Sequence, residues 1–210
     1  MHIELTEMLR RPERHEEGFL VLSTGEMLGR MVRSGTLGCP ICQREFPVVK
    51  GIVHFSGKGK RETGNVQDDR ATIPVSRFPF PAVDAATLQA LLDLSGPGGY
   101  VLLLGSAARH AVGLAGLMGG IHFVGVNAPD DVAELPVLSL LDCEAMIPLR
   151  QTVARAAVVG PDRLGAEWLA EARRVLLPGR RLVIESERVA APVGLTQLAL
   201  GHGLFVGERR

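Results

Sequence analysis

The sequence is poor in the residues that anchor aromatic cores and disulfide frames. Its 210 residues hold one Trp and one Tyr, and aromatics make up 4%. Three cysteines, Cys39, Cys42 and Cys143, are too few and too unevenly spaced for a disulfide framework. No apolar run approaches the ~20 residues of a membrane-spanning helix. The first residues include Glu4 and Glu7 and lack the basic-then-apolar layout of a signal peptide. There is no excess of either charge: 23 basic residues face 23 acidic ones. Up to Pro81 the count is 12 basic to 10 acidic, and after it 11 to 13. Neither half carries the positive field that phosphate backbones need, so nucleic acid is not an expected partner. These absences point to a soluble cytoplasmic protein.

Aliphatic residues are abundant. Hydrophobic residues reach 46%, mostly Leu, Val and Ala, which suits a parallel sheet buried on both faces. Residues 1–56 carry short strand-like runs, Phe19–Leu22 and Phe46–Val49, around a turn signal at Gly35–Gly38. Residues 57–81 are polar and charged and then hold Pro74, Pro79 and Pro81, the pattern of a linker. From 82 to 210 helices and strands alternate. Asp84 can cap a helix bearing Leu88, Leu91 and Leu92. Tyr100–Leu104 forms a first strand, and Ala107–Met118 a helix. Strands follow at Phe123–Val126, Val137–Leu141 and Ala154–Val159. A helix carries Leu164, Trp168, Leu169, Ala172, Val175 and Leu176. A fifth strand follows at Leu182–Ile184, then a short helix at Leu195–Leu200 and a sixth strand at Leu204–Val206. The alternation predicts an α/β fold with a Rossmann-like, doubly wound, mostly parallel sheet, truncated at its C-terminal end and preceded by a small β-rich ribbon. The segment between Asn127 and Val137 has room for a single helical turn at most.

Three segments resemble class I S-adenosylmethionine-dependent methyltransferases. Val101–Arg109 is similar to the first strand and glycine loop, and Val124–Asn127 to the second strand. Glu171–Ile184, with its Arg-Val-Leu-Leu-Pro-Gly turn, is similar to the helix before the fifth strand. The resemblance covers roughly residues 82–208 and implies S-adenosylmethionine as cofactor. In the family, glycines let backbone N–H groups approach the cofactor, a strand acid helps hold its ammonium, and a second acid takes the ribose hydroxyls. Here the strand acid is Leu103. Gly105 keeps the first glycine, but the second is Ala107 and the third Arg109. The ribose acid is Asn127, with Asp130 and Asp131 three or four residues out of register. Asp142 matches the position that binds the adenine amino group. Each lost charge-assisted contact costs ~1.5–3 kcal/mol, which together would erase micromolar affinity.

Residues 9–55 resemble the zinc-ribbon activator of tRNA and release-factor methyltransferases, through Gly35-Thr36-Leu37-Gly38-Cys39-Pro40-Ile41-Cys42 and on to Ile52. The resemblance implies four zinc ligands. Cys39 and Cys42 supply two. The other pair falls on Arg11 and Arg14, with His15 as a third candidate and Glu13 or Glu16 as a fourth. Two cations beside a metal weigh against zinc. Without it, the ribbon would fold on Leu5, Phe19, Leu22, Leu37, Phe46, Ile52 and Phe55, with Cys39 and Cys42 as free thiols or, occasionally, a disulfide.

Other candidates take structural readings. His110, His122 and His202 have no recognisable partner spacing, and a solvated cap is expected for His110. Asp162 is either a site residue after the fourth strand or the N-cap of the next helix, and the cap is favoured. Cys143 is expected to be a buried structural thiol. Erosion of both the cofactor loop and the metal set points to a methyltransferase-fold chain that has lost catalysis and serves as a binding or scaffold subunit. It would work with a protein partner or a second copy of itself, without cofactor. The alternative is an active S-adenosylmethionine-dependent methyltransferase with an atypical loop, since methyl transfer needs mainly alignment.

Overall fold

The computed structural model describes residues 1–12, 18–56 and 83–210. The whole of the expected linker, 57–81, and the candidate ligand His15 lie outside the described residues, as do Glu13, Arg14 and Glu16. A short 3-10 helix, Ile3–Met8, opens the chain. Six short strands follow: β1 (Val21–Thr24), β2 (Met27–Leu28), β3 (Met31–Val32), β4 (Gly35–Gly38), β5 (Glu45–Val49) and β6 (Ile52–His54). Then come α1 (Ala85–Leu92), β7 (Tyr100–Leu104), a 3-10 helix at Gly105–His110, α2 (Ala111–Leu117), β8 (His122–Val126) and β9 (Leu138–Asp142). The chain continues with β10 (Ala154–Val159), α3 (Ala166–Val175), β11 (Arg181–Ile184), β12 (Leu195–Gly201) and β13 (Leu204–Arg209).

Eleven strands form one sheet in the order β1-β4-β5-β6-β9-β8-β7-β10-β11-β13-β12. The centre, from β6 to β11, is parallel, as the sequence pattern predicts. Its strands are continuous apolar runs because both faces are covered. In β7, Leu102 and Leu104 point to the α3 face, while Val101 and Leu103 point to the α1/α2 face. On the α3 face, Trp168, Leu169, Ala172 and Val175 recur at helical spacing and are buried. The larger of these each stabilise by about 1.5–3 kcal/mol on burial. Asp84 caps α1 as expected, its Oδ1 accepting from Thr87 N–H at 2.7 Å.

The ribbon strands and the parallel sheet are continuous. β6 pairs with β9 in parallel, placing His54 beside Asp142. The first segment also bridges the body of the chain: Arg10 N–H donates to Pro148 O at 3.0 Å and Arg150 N–H to Met8 O at 2.9 Å. Leu5, Leu37, Phe46 and Phe55 share one core with Val124 and Leu141. Phe19, expected in the ribbon core, is instead 63% exposed, with the Arg150 guanidinium 3.9 Å above its ring. Leu22 and Ile52 are half-buried.

The C-terminal end differs from the sequence expectation. Leu195–Gly201 is a strand, not a helix, and pairs antiparallel with β13. The sheet is therefore not truncated after the sixth strand: β13 docks on β11 and β12 forms the edge. A tight turn joins the two strands. His202 and Gly203 take φ of +54° and +76°, a two-residue turn of the primed kind that matches strand twist and closes a hairpin. Between β8 and β9 there is no helix, only a turn from Val132 N–H to Pro129 O, in line with the short spacing.

Candidate functional site

Open parallel sheets bind ligands beyond the carboxyl ends of their strands, at the point where strand order reverses. Here that point lies between β7 and β10. Gly105 follows β7 with φ of +65°, a conformation that favours glycine. The chain then turns through Ser106, Ala107 and Ala108, all buried. Opposite, β10 ends in Gly160-Pro161-Asp162-Arg163, and Gly160 N–H donates to Leu104 O at 2.9 Å.

These two loops lie directly on each other. Asp162 Oδ1 accepts from the Ser106 backbone N–H at 2.8 Å and from the Ser106 hydroxyl at 2.5 Å. A Cβ on Gly105 would sit 2.5 Å from the Asp162 carboxylate and 2.6 Å from Arg163 Cγ. A Cβ on Gly160 would sit 2.4 Å from Ser106 Oγ and 2.8 Å from Ala107 N. The Ser106 backbone N–H at this strand end is held by the chain's own carboxylate. Asp162 is thus not the N-cap of α3. That cap position is Gly165, with no side-chain hydrogen bond.

The other expected cofactor positions are also turned inward. Ala107 is fully buried in the α1/α2 core. So is Leu103, where a carboxylate would carry a large desolvation cost. Arg109 makes a two-pronged pair with Asp131, at 3.0 and 3.1 Å. That hydrogen-bonded guanidinium holds the Asp131 carboxyl below its usual range. Asn127, at φ +52°, uses its Oδ1 to accept from Cys143 N–H at 2.8 Å, which ties the end of β8 to the end of β9. Asp142 Oδ2 lies 3.3 Å from His54 Nδ1 and accepts from Ser56 Oγ at 3.2 Å, so ribbon residues line the expected adenine position. Gly105, Ala107, Asn127 and Asp142 do gather at the carboxyl ends of three neighbouring strands. The polar groups of Asn127 and Asp142 bond within the fold.

The sequence reading missed a second pair. His110 is buried, not a solvated cap, and its Nε2 lies 2.7 Å from Glu185 Oε1. Glu185 directly follows β11, so the pair links the β7 loop to the end of the fifth parallel strand. An acid immediately after an apolar strand was the available signal. His122 is half-buried, its Nε2 2.8 Å from Ser139 Oγ. Burial, then the charges of His2 and the N-terminal ammonium, push it down to about 4. Cys143 is buried as expected, and burial followed by the Asp142 charge pushes its thiol up to about 12.

In the ribbon, Cys39 is buried and Cys42 exposed, both as free thiols. Arg11 Nη1 donates to Cys42 Sγ at 3.0 Å. Among the described residues no group of three or more His, Cys, Asp or Glu could hold a metal ion. The remaining ligand candidates, His15, Glu13 and Glu16, lie outside the described residues. Among the described residues no helix is long and apolar enough to cross a membrane.

The architecture is that of a Rossmann-like α/β sheet joined to a strand-rich N-terminal region. No family model matches the chain, and no curated protein matches it. Several solved structures are similar to it, methyltransferases among them. One is a S-adenosylmethionine-dependent methyltransferase from Aquifex aeolicus, at 15% identity and a TM-score of 0.47, with 62% of this chain and 90% of that one covered. Another is a complex of the Haloferax volcanii Trm112 methyltransferase activator with a protein designated a methyltransferase, at 18% identity and a TM-score of 0.39. It covers 48% of this chain, which spans 50% of the matched one. A third is the antibiotic-resistance methyltransferase Kmr, at 14% identity and a TM-score of 0.43, covering 60% and 93%.

Proposed function

We propose that this chain is a methyltransferase-fold protein without catalysis, serving as a binding or scaffold subunit for a protein partner or a second copy of itself. One observation carries the reading. The Asp162 carboxylate takes both donors of Ser106, and Asp162 and Arg163 lie against Gly105 where the glycine loop would open to a cofactor. A bound cofactor would have to displace a carboxylate from a backbone N–H and a hydroxyl, which costs about 1.5–3 kcal/mol per charge-assisted bond. It would also find Asn127 and Arg109 already engaged. The same contacts stiffen the sheet's carboxyl edge, which suits a protein whose work is presentation of a surface.

The test is isothermal titration of the purified protein with S-adenosylmethionine and S-adenosylhomocysteine, followed by affinity capture from its host. The expected result is no heat from either compound and a specific copurifying protein or a stable homo-oligomer. A dissociation constant tighter than ~100 μM would overturn the loss of cofactor and favour an active enzyme with an atypical loop. An isolated monomer that captures nothing would overturn the scaffold role.

A further inference from the structure

We propose that the edge strand β12 pairs antiparallel with β12 of a second copy of this chain, joining two sheets about a two-fold axis at Leu198. The inference deepens the binding or scaffold reading and rests on it, since it names a second copy as the partner. β12 spans seven residues, Leu195–Gly201, and holds neither a charge nor a proline. Among the described residues β13 lies on one side of it and no strand on the other. The outer row of its N–H and C=O groups is therefore open to another strand. Soluble proteins blunt such an edge with charge, proline or short length, and β12 has none of these. Its one irregularity is a bulge at Leu198, between the Gln197–Gly207 and Ala199–Val206 pairs. Leu198 and Leu200 are 47% and 51% exposed, apolar side chains that a paired strand would cover.

Charge at the two ends of β12 selects the occupant. At its start, Arg173 Nη1 fills the space that a Cβ on Gly194 would take, and Arg210 Nε donates to Thr196 Oγ1 at 2.8 Å. Arg209 stands opposite Leu195, and Glu208 opposite Thr196. Three guanidinium groups thus accompany one carboxylate. At the far end the exposed Glu187 accepts from Gly203 N–H at 3.2 Å, in the turn that leaves the strand. The edge is positive where it begins and negative where it ends. A parallel pair would set like ends together. An antiparallel pair centred on Leu198 sets Thr196 opposite Leu200 and Gly194 opposite His202 of the second copy. Arg173 and Arg210 then approach Glu187 of the second copy, once at each end. Opposite charges across paired strands attract and like charges repel, and the uncharged strand between them offers no repulsion to its own copy. The other sheet edge, β1, has four residues. Pairing β1 with β12 would be head-to-tail and would leave an edge open at every step, whereas the two-fold pair closes.

The test is sedimentation equilibrium of the full chain from about 1 to about 200 μM. A seam of two strands is smaller than a standard interface, so a dimer with a micromolar dissociation constant is expected. Leu198→Glu places two carboxylates at the axis and should weaken the dimer about 10-fold or more, with circular dichroism unchanged. Arg210→Glu and Glu187→Arg should each weaken it. The double charge swap should recover the parent constant to within about 2-fold, which a purely structural effect of either change would not give. A chain that stays monomeric through that range would overturn the proposal. If that monomer still captures a specific host protein, the scaffold reading stands; if it captures nothing, both fall. A dimer untouched by Leu198→Glu and by the charge changes would overturn pairing through β12 and leave the scaffold reading in place.

Discussion

Replacing Asp162 with Ala should destabilise the protein by about 3 kcal/mol. The Asp162 carboxylate accepts two bonds, from Ser106 N–H at 2.8 Å and from its hydroxyl at 2.5 Å. Hydrogen bonds to charged groups contribute roughly 1.5–3 kcal/mol each, and the Asp162 side chain is 18% exposed, so the lower end of that range applies. Part of this loss lies in what is left behind. Ser106 is 7% exposed, and its N–H would lose its acceptor in a buried loop, a cost of about 1–3 kcal/mol that overlaps the first figure. Asp162→Asn keeps one acceptor oxygen and should lose about half as much. Ser106→Ala removes only the hydroxyl bond, and the Asp162→Ala/Ser106→Ala double variant should be clearly less than additive. Urea unfolding at pH 7, followed by far-ultraviolet circular dichroism, measures all four. A loss below ~0.5 kcal/mol in Asp162→Ala, typical of an ordinary surface change, would refute the idea that this loop contact locks the carboxyl edge of the sheet. The same variant tests function: if Asp162 alone excludes the cofactor, Asp162→Ala should begin to bind S-adenosylhomocysteine, whereas the combined changes at Ala107, Arg109 and Asn127 predict that it will not.

Three other outcomes follow from single side chains. Burial lowers His122 from 6.5 to about 4, so its ring is neutral in the folded protein while the unfolded chain takes up a proton below about 6.5. Stability is therefore full above that pH and falls as pH drops toward 4, by at most ~3 kcal/mol for this group. His122→Gln should flatten that part of the profile, and an identical acid loss in both proteins would refute it. Iodoacetamide at pH 8 should label Cys42 quickly and leave Cys143 untouched, because its buried thiol is pushed up to about 12; peptide mass mapping reads the order. Arg174 donates to the carbonyls of Leu149 and Ile147, each at 2.8 Å, and pairs with Glu171. Arg174→Ala should lower stability by about 2–3 kcal/mol, since two carbonyls and a partly buried carboxylate lose their partner; a thermal melt within a degree of the parent would argue otherwise.

The sequence by itself determined the parallel core. Tyr100–Leu104, His122–Val126, Leu138–Asp142, Ala154–Val159 and Arg181–Ile184 are apolar runs of strand length, and the intervening Leu88/Leu92 and Trp168/Ala172/Val175 spacings fit helices. These signals are local, because burying a strand on both faces demands apolar side chains at successive positions. The fold class, the cap at Asp84 and the burial of Cys143 were legible for the same reason. Candidate site positions were legible only as addresses: Gly105, Ala107, Asn127 and Asp142 stand at strand ends whatever they bind.

Tertiary structure decided what those addresses do. Asp162 and Ser106 are 56 residues apart, and no pattern in either segment shows that one carboxylate takes both donors. His110 and Glu185, 75 apart, pair only because the fold brings the β7 and β11 ends together. Phe19 carries a core-like side chain but lies outside and 63% exposed, with the Arg150 guanidinium on one face of its ring. Leu195–Gly201 has helix-forming residues, and only pairing with β13 makes it a strand. The hydrogen bonds of that ladder outweigh a propensity difference that amounts to a fraction of a kcal/mol per residue. The joining of β6 to β9 likewise depends on an edge that exists only once the parallel sheet has formed. Periodicity records which side chains must be buried, but partnership between distant polar groups is a property of the assembled sheet, and so is the competition between a loop and a ligand for the same N–H.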